Sequence, residues 1–214
     1  VSNDGNYVFT TDEQSDAYVG SYNITDMNNI QEVDRIQSNP GSNSIPHNAH
    51  VDGNFLITSW YRDGTVVHDI TYPNNMIEVA NYDSYAGSGD GFDGCWGTYP
   101  FLPSGNIISS DINSNNSNNA RLLVYSRDFQ QASYLDGNVS DITNSLPIAS
   151  ANIEILNTLS LISTSSDISG NYSSGIASTG NYDIVFSAAG YLSDTLNTNL
   201  SSGIVTTVDI QLQP

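Results

Sequence analysis

Apolar and polar residues alternate with a period of two along many short stretches of the chain. In "GIVTTVDIQLQP" the residues Ile204, Thr206, Val208, Ile210 and Leu212 share one face, while Thr207, Asp209 and Gln211 form most of the other. Tyr182, Ile184 and Phe186 alternate in the same way with Asp183, Val185 and Ser187. One buried face and one wet face per strand is the pattern of an antiparallel sandwich. One segment departs from it. Ile24, Met27, Ile30, Val33 and Ile36 are apolar at every third position, which suits a helix.

An internal repeat removes that ambiguity. "DGNYVFTTDE" from Asp4 returns as "DGNFLITSWY" from Asp52, 48 residues on, and "NITDMNNIQEV" from Asn23 returns as "DITYPNNMIEV" from Asp69, 46 residues on. The second copy places Pro73 and two asparagines before a β-rich run, so the segment is predicted to be a turn followed by an outer strand. A weaker third copy has "SGNIISSD" from Ser104 and "ARLLVYS" from Ala120 opposite "GTVVHDI" from Gly64. Turn residues divide each unit of about 47 residues into about four strands, the make-up of a β-propeller blade. Beyond Tyr125 the repeat stops. A linker is expected at 128–134, between repeats over 1–127 and a run of alternating strands over 135–214.

Charge narrows the partners. Against 23 acidic residues stand only Arg35, Arg62, Arg121 and Arg127, with no lysine, for a net charge of -19. That field repels phosphate backbones and anionic lipid, which argues against nucleic acid and against docking on acidic membranes. No apolar run has membrane-spanning length. The Asn/Ser/Thr/Gly-rich, lysine-free composition fits an extracellular protein, although compositional bias alone accounts for it equally well. Cys95 is the only cysteine, so no intrachain disulfide is available.

Two resemblances follow from these residues. "PHNAHVDGNFLITSWYRDGTVVHDITYPNNMIEVANYDSY", followed by "GCWGTYPFLPSGNIISSD", resembles the final blades of the LVIVD-repeat propellers, secreted bacterial proteins of choice-of-anchor B type. It covers residues 1 to about 127 and lacks the other blades of a complete member. The second stretch, "GNVSDITNSLPIASANIEILNT" with "STSSDISGNYSSGIASTGNYDIVFSAAGYLSDTL", resembles the carboxypeptidase regulatory-like domain, a transthyretin-like β-sandwich. Its landmarks are Gly137, Val139, Asp141, Pro147, Ile148, Ala151, Asp167, Gly170, Tyr172, Gly180, Tyr182, Gly190 and Tyr191. Gly170 and Gly180 are expected to permit turn geometry. The expected fold is therefore all-β, a partial propeller of about 2.5 to 3 four-stranded blades followed by the sandwich. The resemblances imply a secreted or cell-surface protein of no established enzymatic activity, its sandwich a spacer, stability element or interaction surface.

Candidate chemistry is sparse. His47 and His50 in "HNAH" fall on the innermost strand of a blade, but no Glu or Cys follows at zinc-ligand spacing, so hydrogen bonding near the channel is the favoured reading. His68 is expected to hydrogen-bond in the core or at an edge, and Cys95 to be a small buried residue beside Trp96. Asp90 and Asp93, in the glycine-rich "GSGDGFDG", are weak calcium candidates that lack a third fixed carboxylate. "DINSNN" from Asp111 imitates the start of an EF-hand loop without its Gly or its terminal Glu. No other cofactor is expected. Trp60, Tyr61, Trp96 and Tyr99 are placed to stack on sugar or peptide, or else to pack between blades. Acceptor patterns for glycosylation, "NNS" among them, arise by chance in so Asn- and Ser-rich a chain.

The leading expectation is a non-enzymatic segment of a secreted or cell-surface protein acting in adhesion or extracellular assembly. The alternatives are a glycan- or peptide-binding module that uses the aromatics, and part of a hydrolase whose catalytic residues lie elsewhere. The offset of 48 puts Val1 opposite Ala49, inside an innermost strand. Missing blades, from the same polypeptide or another copy, are therefore expected as partners, along with a glycan or surface protein, and the first sheet is expected to expose an apolar face.

Overall fold

A computed structural model describes residues 1–114, 119–158 and 161–214. The described residues contain strands and no helix, and they divide into two compact units, Val1–Phe129 and Gln130–Pro214.

The first unit holds three antiparallel sheets, each strand hydrogen-bonded to the next in sequence. The first sheet comprises β1 (Tyr7–Thr11), β2 (Val19–Asn23) and β3 (Gln31–Ile36). In the second are β4 (Pro46–Asp52), β5 (Phe55–Trp60), β6 (Gly64–Asp69) and β7 (Ile77–Tyr82), and in the third β8 (Gly94–Tyr99), β9 (Ile107–Ser114) and β10 (Asn119–Tyr125). Register pairs Ile57 with Val67 in the second sheet and Ser109 with Leu123 in the third. Strand β3 replaces the helix that the three-residue spacing suggested, because Asp26 and Asn29 close a turn before it. Gly64 opens β6 at φ 85°, where a Cβ would lie 2.1 Å from the Tyr82 carbonyl oxygen. Only glycine admits β7 that closely.

The middle sheet is buried on both faces. Leu56, Trp60 and Val66 pack with Phe9, Val19, Ile70 and Met76 on one side, while Ile57 and Val67 meet Ile107 on the other. The far face of the first sheet differs from expectation. Thr10, Asp12, Gly20, Tyr22, Glu32 and Arg35 line a shallow groove there, so the face is polar and aromatic rather than apolar. Phe9 and Val19 point the other way, into the core, because β1 and β2 alternate. These three sheets do not close into a ring, and a propeller is not shown.

The second unit is a two-sheet sandwich. One sheet orders β14 (Asn171–Ile176), β11 (Ser133–Asp141) and β17 (Val205–Thr207), with β18 (Ile210–Leu212) also on β11; the other orders β13 (Ile162–Ser165), β12 (Asn152–Ile155), β15 (Gly180–Ser187) and β16 (Asp194–Leu200). Leu135, Val139, Ile153, Ile155, Ile184, Phe186, Leu200 and Leu212 fill the space between them. Each fully buried aliphatic side chain favours folding by about 1.5–3 kcal/mol.

Three details differ from the sequence reading. Strand β11 begins at Ser133, so residues 133 and 134 are buried strand rather than linker. The final alternating run pairs parallel, not antiparallel, with β11, and it divides around Val208 and Asp209, whose main chain and carboxylate bond back to Asp136 and Asn138. Gly170 takes φ 78° as expected. Gly180 does not, and instead leaves room for the Tyr182 ring, which would stand 3.2 Å from a Cβ there.

Candidate functional site

Strands β4 and β8 carry the residues that converge. Trp96 and Tyr99 project from β8, and His47 and His50 from β4. The His47 ring stacks on Trp96 at 5.5 Å and tilts against Tyr61 at 5.3 Å, and Tyr61 meets Phe92 edge-on at 5.1 Å. Farther along the same strands Phe101 meets both Tyr99, at 5.4 Å, and His50, at 5.8 Å, edge-on. Edge and offset contacts at such distances are the favourable arrangements for aromatic quadrupoles.

Polar groups fix the rings. Nδ1–H of His47 donates to the Trp96 carbonyl oxygen, and Nε2 lies 3.6 Å from Glu13 Oε1. That carboxylate oxygen also accepts the Tyr61 hydroxyl at 2.6 Å. Burial raises the Tyr61 phenol well above its ordinary range, and the hydrogen bond to Glu13 adds to the shift. Burial also pulls His50 below the usual imidazole value, against a hydrogen bond with the Thr98 main chain.

Exposure separates platform from support. Phe92, Trp96, Phe101 and Tyr99 are 57%, 50%, 47% and 46% exposed. Trp60 and Tyr61, by contrast, are only 1% and 2% exposed, which corrects the expectation that they face a ligand. Trp60 is packed between the first two sheets, and Tyr61 holds the strip from behind through Glu13 and Phe92. Chemically, the surface offers flat apolar faces beside the Glu13 carboxylate, an acceptor for hydroxyl or amide donors.

The remaining candidates lie elsewhere. Asp93 is committed to Arg62 at 2.6 Å while Asp90 is exposed, and no group of three metal-binding side chains occurs among the described residues. Asp93 is thus engaged by the Arg62 guanidinium. His68 is fully buried and, among the described residues, neither ring nitrogen has a hydrogen-bond partner, contrary to the expected core hydrogen bond; burial lowers its pKa to about 4. Cys95 is buried beside Thr65, its thiol pushed up to about 11 by burial. The "NNS" at 115–117 and the end of "DINSNN" lie outside the described residues.

Phe92, Phe101 and Glu13 were missed from sequence. The repeat held a signal for one of them, since Glu13 occupies the place of Tyr61 and the two equivalent side chains bond to each other. Phe92 and Phe101 sit in loops, where no alternation marks a facing residue.

A family model for the carboxypeptidase regulatory-like domain matches residues 135–213, so that domain is present in the second unit. No curated protein matches the chain. Among solved structures it is similar to a minor pilin of the gram-positive pathogen Streptococcus agalactiae, with 17% identity over 54% of this chain and 62% of that one, at a TM-score of 0.34. The chain thus spans less than two thirds of that pilin. It is also similar to a group B streptococcus pilus 2b backbone protein, with 12% identity over 96% of this chain and 80% of that one, at a TM-score of 0.33. Likeness this low fixes neither fold nor function. Among the described residues no helix is long and apolar enough to cross a membrane.

Proposed function

We propose that this chain is a non-catalytic segment of a secreted or cell-surface protein, acting in adhesion or extracellular assembly through the aromatic strip on β4 and β8. The strip carries the reading. Four large aromatic side chains about half exposed, in two linked runs, form the kind of apolar surface that soluble chains otherwise bury. Rings held from behind by His47, Tyr61 and Glu13 lose little further freedom on binding. A neutral glycan or an extended peptide suits them, its apolar face on Trp96 and its donors toward Glu13.

In this reading the three repeated sheets are successive propeller blades, and further blades, from the same polypeptide or another copy, are their partners. The regulatory-like sandwich acts as spacer or interaction surface. Consecutive antiparallel strands and face-to-face packing of the middle sheet support the blade assignment. Screening the chain on arrays of neutral glycans and peptides, beside Trp96→Ala and Tyr99→Ala, tests the proposal. Specific retention by the wild type that falls at least tenfold in both variants is expected. Equal retention by all three, or none by any, overturns the strip as the binding surface.

A further inference from the structure

The chain holds two of its own arginines in the same way. Arg35 lies over the Tyr18 ring at 5.3 Å and pairs with the Glu32 carboxylate, and Arg62 lies over the Tyr85 ring at 5.1 Å and pairs with Asp93. Each guanidinium thus meets one aromatic face and one carboxylate. The combination has a general cause, since a planar, weakly hydrated guanidinium stacks on the negative face of a ring while its N–H groups donate in its own plane to an acceptor.

The aromatic strip offers the same two elements without a guanidinium between them. Glu13 Oε1 and the Trp96 indole both reach the Tyr61 hydroxyl, which brings a carboxylate and a large ring to one spot, and Phe92 meets Tyr61 edge-on beside them. The Glu13 side chain is 49% exposed, and Trp96 keeps half of its surface in solvent although His47 stacks on its indole. Among the described residues the arginine ion pairs are those of Arg35, Arg62 and Arg127 with Glu32, Asp93 and Asp52, and none reaches Glu13. In its neutral form His47 does not neutralise that carboxylate either, because the ring proton sits on Nδ1 and an unprotonated Nε2 faces Glu13. With no lysine and a net charge of -19, the surrounding field favours a cation that arrives from outside.

We propose that the aromatic strip binds an extended peptide through an arginine side chain, its guanidinium stacked on Trp96 and paired with Glu13, with Phe92 beside it. The inference rests on the reading of the strip as a binding surface, and it selects a cationic peptide over a neutral glycan. The neighbouring pair of Tyr99 and Phe101 takes the residues that flank the arginine. Glu13 is then the residue that sets specificity, and the exposed rings supply contact area.

A labelled peptide GRGRGRG titrated into the full chain, beside the same peptide with citrulline at each arginine, tests it. Citrulline keeps the length and planarity of the side chain and removes the charge. Saturable binding of the arginine peptide is expected, at least tenfold tighter than that of the citrulline peptide. Glu13→Gln, which keeps an acceptor for the Tyr61 hydroxyl, and Trp96→Ala are each expected to weaken it at least tenfold with the far-ultraviolet circular dichroism unchanged. Asp194→Asn, which takes one exposed charge from the sandwich, is expected to leave it within twofold of the wild type. The proposal is overturned by absence of binding at millimolar peptide, by equal binding of the arginine and citrulline peptides, or by an Asp194→Asn loss as large as that of Glu13→Gln, which would assign the binding to net charge alone. If the arginine peptide fails while a neutral glycan is retained and Trp96→Ala releases it, the strip stands as a binding surface and only the cation falls; failure of both removes the strip itself.

Discussion

Strands β5 and β6 are buried at nearly every position, while β15 alternates between buried and partly exposed residues along its length. The difference lies in how many faces each sheet must cover. A sandwich sheet offers one face to a core, and here thirteen buried residues make a single cluster; Ser133 Oγ and Asp136 Oδ1 on β11 lack a partner among the described residues, but other polar groups around the core are paired. Ser166 bridges the Ile148 carbonyl and the Ala151 amide, and the Tyr172 hydroxyl donates to the Val208 carbonyl. The middle sheet of the first unit must fill two faces, and its interface with the first sheet contains polar atoms without partners among the described residues: Ser21 Oγ, Thr58 Oγ1, Trp60 Nε1 and both nitrogens of His68. Each such group costs about 1–3 kcal/mol. Both units carry such groups, and more of the named atoms lie in the layered interface than on β11 of the sandwich.

The largest effect that sharpens this contrast is expected from Phe186→Ala. Phe186 is fully buried in the sandwich core, and its truncation is expected to cost about 3–5 kcal/mol. Residues 130–214 produced alone are expected to unfold cooperatively by circular dichroism, with this variant melting well below the wild type. A broad, noncooperative wild-type transition would remove the sandwich from the comparison.

Gly64→Ala is the counterpart in the layered unit, where the added Cβ meets the Tyr82 carbonyl oxygen and φ is unfavourable. A loss of about 3 kcal/mol is expected by urea unfolding, against about 1 kcal/mol for Gly53→Ala, which has the same handedness in open space. Equal losses would mean that the approach of β7 to β6 is not tight.

His68→Leu is expected to stabilise the first unit by about 1–3 kcal/mol at neutral pH, since it removes an unpartnered buried ring. The pH profile gives a sharper readout. His68 has a folded pKa of about 4 against an ordinary 6.5, so the unfolded chain takes up that proton first, and stability present above pH 6.5 is lost as pH falls toward 4. Glu78 acts in reverse. Burial, helped by Asp63, raises it from 4.5 to about 7, so the folded chain holds that proton more tightly, and stability present below pH 4.5 is lost as pH rises through 7. Between about pH 4.5 and 6.5 the two slopes oppose each other. In His68→Leu the His68 slope is removed while that of His50 remains, and the urea midpoint at pH 5 relative to pH 7 is expected to be higher than in the wild type. A variant that keeps the wild-type profile refutes this account.

The smallest effect is expected from Trp96→Ala. With half of the side chain already in solvent, folding stability is expected to change by no more than about 0.5 kcal/mol, so a loss of retention on the arrays cannot be attributed to unfolding. A thermal shift as large as that of Phe186→Ala would instead make Trp96 a core residue.

The sequence by itself determined the all-β character, the repeated sheets and the sandwich faces, because alternation and turn residues are local consequences of the pleat and of backbone sterics. Tyr182, Ile184 and Phe186 were legible for that reason, as were the turn and strand that replaced an apparent helix at 24–36. It also supplied His47, His50, Trp96 and Tyr99 as candidates, but not the division of labour among the aromatics. Trp60 and Trp96 both sit in strands with polar neighbours, and only packing buries one against Phe9 and Val19 and leaves the other half in solvent. Contacts between distant segments decided the rest. Glu13 reaches Tyr61 across 48 residues, Asp93 turns to Arg62 instead of toward a metal, and the last strands run parallel to β11. Each outcome depends on which elements meet in space, and local alternation carries no record of that.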